Sequence, residues 1–318
     1  MVAVIVNEGG FYRTEVYVHE AKMAGATIHT PCVNLSENFT TLYGTDVFLG
    51  FRHLQNLEER IAKQIVVERA MNGDYSSLEN FINRVSIGIE NLQVLIFIGA
   101  FRFTGKTKNE LILAARMLLT NFKPENRDGF LIQEPVIEYS LPNLERSFFE
   151  DAFDEIELIG FPISCSPFDL LKTRFRGNIK VNELGSMNKQ VVKMVAYLVS
   201  RKDVPIKTGM MHFGTWIDPE GNYFDTTHWP NSLVNFPFQG GGCYLLLGQI
   251  DVDFGFPSIV VIKMAKLPFI PDPRFDDQKD SKFSPNDLLK SDTSTTHRAP
   301  YPTEKEIGLP RHRMGKSK

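Results

Sequence analysis

The sequence predicts an α+β chain: a module of short helices joined by tight hairpins, a five-stranded β-barrel, and a disordered tail. Three observations carry this. Apolar residues recur at helical spacing between residues 50 and 120. From Gln190 the pattern becomes long β-branched and aromatic runs broken by turn signals. Beyond Pro273 charged and hydroxyl residues replace apolar ones, ending in Arg311-His312-Arg313-Met314-Gly315-Lys316-Ser317-Lys318.

The elements follow in order. Thr14 to Ala24 predicts a helix, with Thr14 as N-cap and Gly25 as its stop. Residues 30–51 suit loop and short strands. Leu54 to Met71 suggests a helix-turn-helix passage, with Leu57, Ile61 and Ile65 on one face and Asn72-Gly73 as terminator. Ser76-Ser77-Leu78-Glu79 has the form of a capping box. Glu90 to Ile98 leads into the turn Gly99 to Thr107. Thr107 and Glu110 then have the spacing to cap a helix from Lys108 to Leu119. Residues 121–145 are polar and Pro-containing, as in a linker, and Leu144 to Ile159 predicts one acidic helix.

Strands are predicted over Val191–Val199, Met211–Ile217, Asn222–Thr226, Tyr244–Asp253 and Ser258–Ala265. Asp218-Pro219-Glu220-Gly221 makes a turn, and Pro230 to Phe238 holds a short helix. Such a set suits a small Greek-key barrel of the oligonucleotide/oligosaccharide-binding (OB) type. The resulting boundaries are 1–48, 49–120, 121–185, 186–274 and 275–318.

Composition sets limits. The 318 residues are 42% apolar and 23% charged, enough for two globular cores. A net charge of −3 gives no overall basic field, so a nucleic acid would need local patches. Cys32, Cys165 and Cys243 show no metal-ligand spacing and suit a reducing cytoplasm. No apolar run reaches the roughly 18 residues of a membrane span, and Met1–Ile5 followed by Asn7 and Glu8 lacks signal-peptide form.

Ile98 to Asn109 holds the first chemistry. One reading is a nucleotide-binding P-loop, with Val94–Ile98 as its strand. However, Gly99 and Gly105 are five residues apart where Walker A requires four, and position 100 is Ala. The other reading is a hairpin between helices. A helix N-terminus and Gly105 would let amides approach a phosphate, while Arg102, Lys106, Thr107 and Lys108 surround it. Spacing alone leaves a solvated basic turn equally open.

The barrel interleaves Tyr197, Arg201, Lys202, Lys207, Phe213, Trp216, Tyr223 and Trp229, a composition that can stack bases and track a single-strand backbone. About half of any barrel strand faces inward, so core packing competes at each position. His212 and His228 are placed to face each other as satisfied structural histidines. Asp251-Val252-Asp253 puts two carboxylates on one strand face but has no third acid nearby. His19-Glu20 fails as a zinc motif because position 23 is Met. No catalytic set and no metal ligands emerge.

Several stretches together resemble a known family. Asn7 to Glu15, Tyr17 to Ala21 and Pro31 to Asn34 resemble the fingers region of the bacterial DNA polymerase III alpha subunit, a C-family polymerase, in its short error-prone form. Gly50 to Arg116 resembles that family's helix-hairpin-helix segment. Ile159 to Pro162 and Phe213 to Pro268 resemble its OB domain. The resemblance covers about residues 1–274. It implies a role in replication or translesion synthesis, with the hairpin on duplex backbone and the barrel on single-stranded template. The rest of the polymerase and the sliding clamp are the implied partners, and Mg²⁺ is the parent enzyme's cofactor.

The chain also departs from the pattern. The palm aspartates precede the fingers in that family and are not expected here, so catalysis by this chain alone is not expected. Asn56 and Glu58 stand where the first hairpin would have glycines, and Glu58 would repel phosphate. Contact with DNA is therefore expected at the second hairpin. Phe130-Leu131-Ile132 is the sole candidate for clamp binding. The alternatives are a P-loop-like nucleotide-binding protein and a gene fragment without an independent role.

Overall fold

A computed structural model describes residues 2–6, 10–121 and 148–278. All but the first residue of the predicted linker at 121–145, the Phe130-Leu131-Ile132 motif and nearly all of the predicted tail lie outside them. The described helices and barrel belong to one compact unit ending at Arg274. Among the described residues, no helix is long and apolar enough to cross a membrane.

The first part combines short helices with a small sheet. Helix α1 (Val2–Val6) packs near α2 (Thr14–Met23). The N-cap of α2 is Arg13, which makes no side-chain cap bond, rather than Thr14, which is already the first helical residue. A three-stranded sheet follows: β1 (Thr27–His29) runs parallel to β3 (Asp46–Phe48), and β2 (Thr41–Tyr43) pairs antiparallel with β3.

Residues 54–71 do not form a helix-turn-helix. A 3-10 turn at Phe51–His53 leads to one helix, α3 (Glu59–Asn72), which buries Ile61, Ala62 and Ile65. Gly73 ends it at φ 78°, in the region that favours glycine. Helix α4 (Leu78–Arg84) starts one residue later than the predicted box. Ser77 accepts from Asn80 N at 3.0 Å, and Asn80 Oδ1 accepts from Ser76 N, so Asn80 rather than Glu79 closes the cap.

Val94–Ile98 is not a strand; it belongs to α5 (Ile89–Phe97) and its C-cap. Helix α6 (Lys108–Asn121) packs on α4 and α5, and α7 (Phe148–Leu158) approaches α5. Phe81, Leu92, Leu95, Ile96 and Phe101 are buried at the centre. The Phe81 and Phe101 rings meet edge to face at 5.0 Å, worth about 0.5–1.5 kcal/mol beyond their area burial.

The second part is a closed barrel of five strands. These are β4 (Val191–Ile206), β5 (Gly209–Ile217), β6 (Tyr223–His228), β7 (Cys243–Asp253) and β8 (Phe256–Lys266), with α8 (Pro230–Asn235) between β6 and β7. Around the barrel the order is β4-β5-β6-β8-β7, and β6 and β8 run parallel. A five-stranded Greek-key barrel of this kind is the OB type. Strand β4 is much longer than its predicted apolar run. Its first half pairs with β7 and its second with β5, with an irregularity between Leu198 and Ser200. Met194, Ala196, Trp216, Phe224, Tyr244 and Ile259 fill the interior.

Candidate nucleic-acid interface

The α5–α6 hairpin is built from the inside. Ile98, Ala100 and Phe101 are buried, and Gly99 at φ 78° turns the chain so that Ala100 N reaches Leu95 O at 2.8 Å. Gly105 is left-handed at φ 69°. Thr107 and Glu110 form the predicted capping box: Thr107 N donates to Glu110 Oε2 at 2.6 Å, and Glu110 N to Thr107 Oγ1 at 3.3 Å. Those hydrogen bonds from Thr107 hold the Glu110 carboxyl below its ordinary range. An ionised carboxylate therefore already sits at the positive end of α6.

Two of the hairpin's cations are engaged within the fold, which corrects their assignment as free phosphate contacts. Arg102 donates to Thr30 O at 2.6 Å, Thr30 Oγ1 at 2.8 Å and Gly99 O at 3.1 Å. Lys108 Nζ lies 2.6 Å from Asp151 Oδ1 and 2.5 Å from Asp154 Oδ2. Lys106 stays exposed beside Gly105. A P-loop requires a strand before the glycine turn, and α5 is a helix. In the first turn Asn56 is left-handed at φ 65°, while Glu58 keeps a negative φ. Glu58 N donates to Asn91 Oδ1 at 2.9 Å and its carboxylate accepts from Asn91 Nδ2 at 2.8 Å, which ties this turn to α5.

Strand alternation sorts the barrel residues by face. Trp216 points inward, is 0% exposed and donates from Nε1 to Thr226 Oγ1 at 2.7 Å. It is core, not a stacking platform. Tyr197 lies beside Glu15 of α2. Burial, with Glu15 beside it, pushes that phenol up. Tyr223 meets the His19 ring edge to face at 5.8 Å and lies beside Glu20. Helix α2 therefore packs over the stretch of barrel that holds Tyr197 and Tyr223, leaving Tyr223 half-buried at the edge of a groove rather than on the Lys202 face. Arg201 pairs with Asp203 at 2.8 Å and lies over the Phe238 ring at 5.3 Å.

Lys202 and Phe213 are different. They are register partners on β4 and β5, and Thr227 of β6 continues the row. Both are exposed, Phe213 to 39%. The sequence reading missed two further aromatics, Phe254 and Phe256, at the β7–β8 turn. They are 94% and 80% exposed, and Phe254 is left-handed at φ 48°. The available signal was Phe-Gly-Phe between two strand patterns, where a two-residue turn must carry at least one ring outward.

His212 and His228 are register partners, as expected. His228 is fully buried, and burial pushes its imidazole down to about 4. Its Nε2 lies 2.7 Å from Thr226 Oγ1, but its Nδ1 has no hydrogen-bond partner among the described residues, so it is only half satisfied. Asp251 pairs with Lys189. Among the described residues no group of three His, Cys, Asp or Glu could hold a metal ion.

Fold and surface together define a helix-hairpin-helix module followed by an OB-type barrel. Residues 25–111 match the family described as "Helix-hairpin-helix motif". Over 122 residues the chain is 32% identical to "Error-prone DNA polymerase" of Mycobacterium tuberculosis, covering 38% of this chain and 11% of that protein. Over 170 residues it is 30% identical to "DNA polymerase III subunit alpha" of Staphylococcus aureus, covering 51% of this chain and 16% of that protein. The resemblance to the DNA polymerase III alpha subunit thus holds over the matched part, and the chain spans less than a fifth of the length of these relatives. Two solved structures are similar to part of the chain. They are a small single-stranded DNA-binding protein from Streptomyces coelicolor (14% identity, 25% of this chain, 95% of that one, TM-score 0.21) and the second OB-fold domain of replication protein A from Methanococcus maripaludis (21% identity, 29%, 93%, TM-score 0.21). The barrel's own strand order defines its type.

Proposed function

We propose that this chain is a DNA-binding portion of a DNA polymerase III alpha-type polymerase, working in the cytoplasm in replication or translesion synthesis. The observation that carries the proposal is the adjacent, exposed pair Lys202 and Phe213 on the outer barrel face. A ring for stacking beside a cation for the backbone is what sequence-tolerant single-strand binding requires. Phe254 and Phe256 are further exposed rings at the loop between the fourth and fifth barrel strands, a loop that OB folds use for ligands. The hairpin contributes a lesser contact with duplex backbone, through Lys106 and the chain at Gly105 and Thr107.

The similarity over residues 25–111 and the polymerase relatives support the setting. The rest of such a polymerase and its sliding clamp are the proposed partners. The Mg²⁺ used by the parent enzyme finds no fitting donor set among the described residues, because Asp251 is committed to Lys189 and no third acid joins it. No catalytic step is assigned to them.

Fluorescence anisotropy with a labelled single-stranded oligonucleotide, titrated at several salt concentrations, tests the proposal. Binding that weakens steeply with salt and drops in the double variant Lys202→Ala/Phe213→Ala supports it. Unchanged binding in a folded double variant would overturn it.

A further inference from the structure

A groove of about 440 Å³ runs between α2 and the outer face of β5 and β6. Tyr12, Tyr17 and Tyr223 supply its aromatic walls, and Glu20, Thr215 and Asp225 its polar groups. The volume lies within the usual range of small-ligand sites, roughly 300–1,000 Å³. Among the described residues no lysine or arginine lines it. The groove therefore repels phosphate while offering rings for stacking and carboxylates that accept N–H bonds.

Its position matters as much as its chemistry. Thr215 and Asp225 are register partners, two residues along their strands from Phe213 and Thr227. Two residues of strand span about 7 Å, within reach of the neighbouring nucleotide of an extended strand. One carboxylate is already oriented: Thr215 Oγ1 donates to Asp225 Oδ1 at 2.8 Å, which fixes Asp225 at the groove wall. Glu20 stands opposite on α2, beside the Tyr223 phenol.

We propose that this groove takes one unpaired nucleobase of the bound strand and selects guanine. The inference rests on the single-strand reading of the Lys202–Phe213 face. Guanine presents N1–H and N2–H side by side on its pairing edge, and a carboxylate can accept both. Cytosine and adenine offer one exocyclic amine, and thymine offers only N3–H. The phosphates stay outside, along Lys202, and the base turns inward between the tyrosines.

The test compares an all-thymine oligonucleotide with one carrying a single central guanine, by anisotropy. Wild-type protein is expected to bind the guanine-bearing strand at least about five-fold more tightly. Glu20→Gln and, separately, the near-isosteric Asp225→Asn should reduce that preference and leave all-thymine binding unchanged. Equal wild-type affinity for the two strands, or a preference that survives both substitutions, overturns the base pocket while leaving the barrel surface standing. Binding of neither strand overturns the barrel surface, and the pocket with it.

Discussion

Lys108 Nζ sits 2.5 Å from Asp154 Oδ2, joining the first turn of α6 to α7. The Asp154 side chain is 5% exposed and also receives Arg274 Nη1 at 2.7 Å. Burial pushes its carboxyl up, and Lys108 pulls it back down. A sequence motif that looked like a phosphate grip is thus half a structural brace.

Lys108→Ala is expected to cost about 2–3 kcal/mol of stability, below the ~3–5 kcal/mol typical of a broken buried pair because Arg274 remains. Lys106→Ala should stay within about 0.5 kcal/mol. Urea denaturation at neutral pH separates the two. The Lys108→Ala deficit should shrink as pH falls, because a protonated Asp154 no longer needs a cation.

His228 makes the barrel acid-sensitive. Its imidazole titrates near 6.5 when unfolded and near 4 when folded. Between those values the unfolded chain takes up a proton that the folded barrel refuses, so this contribution to stability is lost as pH falls through the window. The expected loss from pH 7 to 4.5 is about 2–3 kcal/mol. His228→Gln should flatten that slope in paired denaturation curves.

Phe254 occupies a backbone conformation that costs a non-glycine residue about 1–2 kcal/mol. Asn tolerates it and suits a two-residue hairpin turn. Phe254→Asn is therefore expected to raise the barrel's stability by about 0.5–1 kcal/mol and to weaken single-strand binding. Thermal melts alongside anisotropy would show whether the two properties move in opposite directions.

Phe213 and Trp216 separate surface from core. Phe213→Ala should leave folding intact and weaken strand binding by about 1–3 kcal/mol, the worth of one stacked base. Trp216→Ala removes a fully buried ring and should cost about 3–5 kcal/mol of stability. Circular dichroism and anisotropy on both variants check the contrast.

These cases show what the sequence made legible. Local chemistry was readable: the Thr107–Glu110 cap, the Asp218–Gly221 turn, Asn56 in its left-handed turn, and the five strands of the barrel. The cap and the turns close within a few residues, and each strand shows in its own local run, so spacing encodes them. Arg102 and Lys108 were misassigned because Thr30 and Asp154 are 72 and 46 residues away. Phe213 and Trp216 were both offered as stacking residues, because which strand face is interior depends on closure of the barrel. The cover over Tyr197 and Tyr223 was invisible for the same reason, since α2 lies far from them in the chain.

That cover has a consequence for how the chain is made. His19 Nε2 bonds Gly221 O at 3.0 Å, and the two residues are 202 positions apart. At ordinary synthesis rates helix α2 leaves the ribosome roughly 10–40 s before its docking surface. Val16, which packs with Val199 and Ile217 in the finished fold, spends that interval without its partners. Docking of α2 then closes a loop of about 200 residues. Its amides should gain hydrogen-exchange protection only after the barrel's amides have done so, and a nascent chain stalled before Gly221 should present α2 as a site for a chaperone.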